Sequence, residues 1–289
     1  MYQHKITNLR ERGIIMKPDN FNFDLVEGNL TKHALLNILE DIDLFHPGIS
    51  VDCVILGFHD GCLKVLLVNF NKYGKWLLPG GFVYRNEDVD AAAYRMVKSR
   101  VGIDNIFLKQ FHLFGDVKRT SAEENMELLQ SLNISERARE WFSKRFITMG
   151  YYSLVQYLKI KSLVKDRDED FQWFKLNELP DMYGDHEKII KKAIESIRQQ
   201  IGFVPIGYEL LPEKFTMPEL RTIYESIIGH EIDRRNFQRK MLSIGLVRRL
   251  NEFRRGGAYK SPILYSFVKE KYDAVKNGTM IADLHVLMV

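Results

Sequence analysis

At 289 residues, with 45% apolar and 28% charged side chains, the chain is long enough for one large or two ordinary domains and too apolar to be a disordered tail. Its two cysteines, Cys53 and Cys62, are too few for a disulfide scaffold and lack zinc-site spacing; both fall in apolar runs and read as small core residues. The total charge of +4 is unevenly spread: between Arg234 and Lys260 nine basic residues face only Glu252, a local charge of +8 on an otherwise slightly acidic chain, which points to a polyanionic partner.

The first residues, to about Gly28, are polar and weakly patterned, with Met16 as an alternative start, and nothing there or later has the apolar length for export or membrane insertion, so a cytoplasmic location is expected. Thr31 to Phe45 has apolar residues at helical spacing with Thr31 as cap, and Pro47 is expected to end that helix. Val51 to Phe58 and Leu63 to Phe70 are β-branched-rich runs around Asp60-Gly61, a pair suited to the positive φ angles of a tight hairpin turn.

Lys75 to Leu78 leads into a Gly80-Gly81 turn, and Asp88 to Val101 is helical; strands are expected at Ile106 to Phe114, Phe146 to Ile160 and Phe171 to Phe174, and a long amphipathic helix at His186 to Ile201. One or two inserted helices between Lys118 and Arg145 read equally well as a lid or as a tolerated surface insertion. Strands on both sides of one helix, closed by a second, make an α/β sandwich.

The segment Gly81 to Ile103 fits a loop-helix-loop pattern in which Gly81, Glu87, Arg95, Val97, Gly102 and Ile103 are in register. Three positions that should carry carboxylates hold Met96, Ser99 and Arg100. With that pattern the segment resembles a Nudix box, whose glutamates bind Mg²⁺ and cleave nucleoside diphosphate derivatives. Mg²⁺ asks for hard oxygen ligands, which methionine and arginine do not supply, so no hydrolase activity, no metal and no cofactor are expected here. Gly81 and Gly102 are expected to allow tight turns, and Glu87 and Arg95 to pair across the loop. No His-Glu-x-x-His, P-loop or Gly-x-Ser-x-Gly motif offers another catalytic centre.

Gly202 to Tyr208 punctuates the pattern and marks a change of domain. Beyond it, Thr216-Met217-Pro218-Glu219 has the capping-box order for a helix to Ile228, stopped by Gly229. Asp233 caps a second helix, Arg234 to Ile244, closed by Gly245, and strands at Leu246 to Leu250 and Ile263 to Val268 flank a basic glycine tip. That order is a winged helix-turn-helix. On the second helix Phe237, Met241 and Ile244 share the core face. Arg235, Gln238, Arg239 and Leu242 share the other, suited to base edges in a major groove. Arg234, Lys240, Arg248 and Arg249 are placed for phosphates, and Arg254, Arg255 and Lys260 on the hairpin for the backbone or the minor groove.

Together the Leu78-Pro79-Gly80-Gly81-Phe82-Val83 approach to the box, the junction Val204 to Thr216 and Asp233-Arg234-Arg235-Asn236-Phe237-Gln238-Arg239-Lys240 resemble the Nudix-related transcriptional regulators of bacteria. These include the NrtR family and the arabinose-responsive regulators. The match covers roughly Val51 to Phe267, and the chain reads as an N-terminal arm and helix over 1–47, a Nudix-like α/β/α sandwich over 48–202 with its insertion at 118–145, and a winged-helix domain over 203–289. The resemblance implies a homodimer on a palindromic double-stranded operator, responding to a pentose or an ADP-ribose-like nucleotide. Phe82, Arg95, Arg100 and Asp116 are the candidate effector lining, around the Gly80-Gly81 loop, the box helix and the insertion. The competing expectation is a Nudix-type hydrolase with a relocated metal site, for which Glu123 and Glu124 are the available carboxylates.

Overall fold

The computed structural model describes residues 42–69, 74–104, 106–129, 135–164, 170–254, 261–277 and 279–280. Most of the helix expected over Thr31 to Phe45 lies outside these residues, as do Phe70, Arg255 and Lys260. Its last residues are not α-helical: Ile42–Leu44 is a short 3-10 turn and Phe45 opens β1, Phe45–His59. Pro47 therefore stands inside an exposed strand start, where the pairing register slips between Phe45 and Ser50 and no ladder N–H is missed.

β1 is the spine of the sheet. On one side it runs parallel to β5, Ile147–Val155; on the other its second half pairs with β2, Cys62–Asn69, and its first half with β3, Gly80–Tyr84. β4, Lys109–Phe114, and β6, Asp170–Lys175, complete the order β4-β5-β1-β2-β6. The turn between β1 and β2 has positive φ at both Asp60 (52°) and Gly61 (70°), as the Asp-Gly pair predicts. Alternation along β1 sorts two cores: Val51, Cys53 and Ile55 face the box helix α1, Val89–Met96, whereas Val54 and Leu56 face α5, His186–Gln200.

The insertion forms two helices, α2, Ala122–Leu128, and α3, Glu136–Ser143, each N-capped by a serine, Ser121 and Ser135. The strand expected over Phe146 to Ile160 ends at Val155, and Tyr157–Val164 is a helix, α4. Apolar residues at 157 and 160 suited either element, and the alternation does not separate a strand from a buried helical turn over so short a run.

After α5 come a single turn α6, Gly207–Leu210, the two-residue β7, Phe215–Thr216, and then α7, Met217–Ile228, α8, Arg234–Ile244, β8, Val247–Phe253, β9, Ile263–Phe267, and α9, Lys269–Lys276. The three strands order as β7-β9-β8, so the second unit is a winged helix-turn-helix following a Nudix-like sandwich. At the junction that the glycines and proline mark as a change of domain, Ile201, Pro205, Ile206 and Gly207 are buried. A Cβ on Gly207 would overlap Leu220. One apolar core runs from Val54 and Leu67 through Ile189 and Ile197 to Ile223, Tyr224, Phe237 and Met241. Among the described residues no helix is long and apolar enough to cross a membrane.

Candidate functional site

The box is held by its own charges. Glu87 accepts hydrogen bonds from Arg95 Nε at 2.6 Å and Nη2 at 2.8 Å and from the Tyr84 N–H at 3.1 Å. Arg95 also donates to the Phe82 carbonyl at 2.8 Å and lies 4.2 Å above the Tyr84 ring. Both side chains are nearly buried, so this bidentate pair fixes the loop to α1 rather than opening to a ligand. After Met96 the helix widens into a π turn, Val97–Val101, and stops at Gly102 with φ of 79°.

The three substituted positions each found a different use. Met96 is buried, and its Sδ and Cε occupy the space a Cβ on Gly81 would need. Gly81 is therefore required for close approach within β3, and its φ is not positive. That corrects the expectation of a glycine-only turn there. Ser99 Oγ donates to its own helix at the Met96 carbonyl, 3.3 Å away. Arg100 Nη1 donates to the Gly80 carbonyl at 2.7 Å. Among the described residues no group of three or more His, Cys, Asp or Glu side chains is arranged to hold a metal ion. Mg²⁺, which this box pattern implies, does not fit a thioether, a helix-bonded hydroxyl and a guanidinium.

Phe82, expected to line the cleft, is instead the centre of an aromatic cluster with Phe45, Trp141, Phe142 and Phe146, its ring centroid 4.8 Å from that of Trp141. The insertion thus packs its aromatic face onto the box loop. Glu124 pairs with Lys75 at 2.8 Å and accepts from the Gly184 N–H, which leaves it engaged elsewhere than at a metal. Asp116 is exposed and accepts from the Lys118 N–H, a local turn contact. Of the four candidate effector residues, Phe82, Arg95 and Arg100 converge on the Gly80-Gly81 loop through the contacts above, whereas those of Asp116 lie in its own turn.

Sequence reasoning missed a buried polar cluster beneath the insertion, formed by Asp52, Arg119, Asp185 and His186. Arg119 bonds both Asp185 oxygens at 3.0 and 3.2 Å, approaches Asp52 at 3.6 Å and donates to the Phe146 carbonyl. His186 Nδ1 accepts from the Leu78 N–H at 2.9 Å, which assigns its proton, when neutral, to Nε2 facing Asp52 3.8 Å away. Burial pushes the His186 imidazole below its ordinary pKa, against the opposing pull of Asp52. The signal was present: an aspartate inside Val51-Asp52-Cys53-Val54, a run of otherwise buried apolar residues, demands a partner. Its partners lie far away in sequence.

On the winged helix, α8 is capped by Asp233, whose carboxylate accepts from the Asn236 N–H at 2.7 Å, and ends at Gly245 with φ of 74°. Phe237 and Met241 are buried and Ile244 packs against them. Arg234, Arg235, Arg239 and Leu242 are exposed; Gln238 and Lys240 are half-buried. Arg239 donates to Asn236 at 2.7 Å, which holds its stem along the helix. Arg248 and Arg249 are exposed on β8, Arg248 bonding Ser266. Arg254 makes a bidentate pair with Glu219 at 2.6 and 2.9 Å, an engagement its expected phosphate role did not foresee.

The sheet, the box and its helix correspond to a known family: the Nudix domain model matches residues 46–193, more than half of the chain. The chain belongs to the Nudix family. Past its Nudix domain, residues 207–267 match the NrtR DNA-binding winged helix domain. The ADPR responsive transcriptional repressor NtrR of Acinetobacter baylyi is 27% identical over 251 residues, 84% of this chain and 91% of that protein. Shewanella oneidensis NrtR, crystallised with a 27mer DNA, superposes with a TM-score of 0.60 at 24% identity, over 78% of this chain and 95% of that one. A MutT/nudix family protein from Enterococcus faecalis shares the fold with a TM-score of 0.53 at 20% identity, over 83% and 99% of the two chains. The resemblance to Nudix-related regulators, with a Nudix domain followed by a winged helix, is thereby established.

Proposed function

We propose that this chain is a DNA-binding transcriptional regulator of the cytoplasm whose Nudix domain, over residues 48–202, senses a small metabolite that it does not hydrolyse. The observation that carries the reading is the exposed arginine face of α8 on a winged helix whose other face is buried. Arg234 and Arg235 stand in the first turn of α8, where the helix dipole disfavours cations. A helix built only for its own stability would place acidic residues there, so the two arginines favour an external anion. Arg235, Gln238 and Arg239 read base edges in this scheme, Arg234, Lys240, Arg248 and Arg249 hold phosphates, and Arg255 and Lys260 on the hairpin meet the backbone or the minor groove, Arg254 being engaged by Glu219. The loss of carboxylates at Met96, Ser99 and Arg100 supports sensing without cleavage.

The Acinetobacter relative, described as ADPR responsive, favours an ADP-ribose-type nucleotide over a free pentose as effector. Two copies on a palindromic operator complete the scheme. The test is titration of DNA from upstream of the chain's own gene at several salt concentrations, with and without ADP-ribose. Arg235→Ala and Arg239→Ala should each weaken specific binding by about 1–3 kcal/mol while leaving nonspecific binding nearly intact. Unchanged specific binding in both variants would refute the recognition-helix assignment. Incubation of ADP-ribose with the protein and Mg²⁺ or Mn²⁺ should release no product above buffer, and steady turnover would return the chain to the hydrolases.

A further inference from the structure

The helix α9 begins at Lys269, past the residues 207–267 that match the winged helix domain, and the DNA-reading scheme assigns it nothing. Its side chains nevertheless reach three parts of the molecule. Lys271 lies along Gly245, where a Cβ would overlap its Nζ, and that Nζ donates to the Ile244 carbonyl at 3.3 Å. α8 has no basic residue in its own last turn, while Arg234 and Arg235 crowd its first. Lys271 therefore supplies from outside the cation that the closing end of the recognition helix lacks, and satisfies one of its last carbonyls. Tyr272 is buried, stacks on Tyr208 of α6 with ring centroids 3.9 Å apart and donates to Glu209 at 2.9 Å. One turn on, Lys276 approaches the same Glu209 at 3.8 Å and stands 4.5 Å from the centroid of the Phe107 ring. Phe107 belongs to the Nudix body, on the segment between the box helix and β4. Its neighbours Ile106 and Leu108 are buried in the core that also holds Val97 and Val101, which leaves the Phe107 ring at the surface for Lys276.

We propose that α9 is a strut that sets the angle of the recognition helix against the Nudix body. Lys271 fastens it to the closing end of α8, and Lys276 fastens it to the segment that leaves the box helix. Both are positioning residues: they act on base choice through α8. Bidentate bonds to base edges are lost with a small error in helix angle, whereas attraction to phosphates tolerates one, so the strut bears on sequence preference more than on affinity for DNA in general. This rests on the reading of α8 as the helix that meets DNA.

The experiment measures binding of the full chain to two duplexes of equal length over a range of salt, one from upstream of its own gene and one with that sequence scrambled. Lys271→Met should weaken binding to the first about threefold to tenfold and leave the second, and both salt slopes, unchanged. Lys271→Arg, which still reaches the Ile244 carbonyl with a cation, should restore the preference. Lys269→Met removes the same charge from a side chain paired with Asp273 within α9, and should keep it. On the Nudix side, Phe107→Ala and Lys276→Met should each lower the preference about twofold to fivefold, and the double variant little further, because both break one contact. Circular dichroism and the unfolding midpoint report whether each variant is folded; should Lys271→Met not fold, the Phe107 and Lys276 variants decide. Wild-type preference in folded Lys271→Met, or in both Phe107→Ala and Lys276→Met, overturns the strut. So do equal losses on the two duplexes with a shallower salt slope, which make Lys271 a phosphate contact. A wild-type chain that does not tell the two duplexes apart refutes the DNA-reading assignment itself, and the strut with it.

Discussion

His186 keeps its place by remaining neutral. Its Nδ1 must accept the Leu78 N–H, which ties the strand leading into the box to the start of α5, and a protonated ring has no lone pair for that bond. Burial is the main cause of its lowered pKa; Arg119 pushes the same way, while Asp52, Asp185 and Glu124 oppose. The sign follows: the unfolded chain takes up a proton near pH 6.5, and the folded chain does so only at lower pH, so stability present above about 6.5 declines as pH falls below it. Urea midpoints measured across this range should show the decline, and His186→Gln, whose amide oxygen can still accept from Leu78, should flatten it. The same midpoint slope in the variant would shift the cause to other groups. At this scale the sequence was partly legible. Glu87 and Arg95 sit on one short motif and were paired from spacing alone, whereas Asp52, Arg119 and Asp185 meet only because the sheet and the insertion fold over one another.

α7 shows how one side chain can serve two elements. Glu219 closes the capping box on Thr216, accepting from its N–H at 2.7 Å and from its hydroxyl at 2.8 Å, and the same carboxylate binds Arg254 beyond the end of β8. Burial alone would raise the Glu219 pKa, but the bonds from Arg254 and Thr216 outweigh it and hold the carboxyl below its ordinary value. Glu219→Ala should cost about 1–2 kcal/mol in chemical denaturation, by loss of the cap together with the ion-pair partner. Glu219→Gln should cost less, because the amide oxygen still accepts from the Thr216 N–H; equal losses would mean that the charge, not the cap, matters. The cap, the stop at Gly229 and the bounds of α8 were legible because capping is local chemistry. The end of β5 and the start of α4 were not, since no proline, glycine or polar cluster separates Val155 from Tyr157.

Across the whole molecule, the winged helix is a continuation of the Nudix body more than an appendage to it. α7 lies against β2 and α5, Gln156 donates to the Leu211 carbonyl at 2.9 Å, and Arg198 on α5 donates to the Ile227 carbonyl at 2.8 Å. Ile223 and Ile227 are fully buried in the core common to both units. Ile223→Ala should therefore destabilise the entire chain by about 2–4 kcal/mol and keep a single calorimetric transition. Two separated transitions in the wild type would contradict a common core. Both units and their order were legible in the pattern but this union was not, because the glycines and proline at the junction read as a change of domain and their burial depends on α5 and α7 meeting.

Arg198 carries that union to the far end of α7, beside Gly229, where the chain turns toward α8. Geometry and chemistry are thereby divided between the two units. In the proposed scheme the side chains of α8 choose bases, while the spacing and angle at which two such helices would meet a duplex follow from the Nudix bodies that carry them. A chimera exchanging only residues 207–267 with a relative should inherit that relative's base preference and retain this chain's half-site spacing.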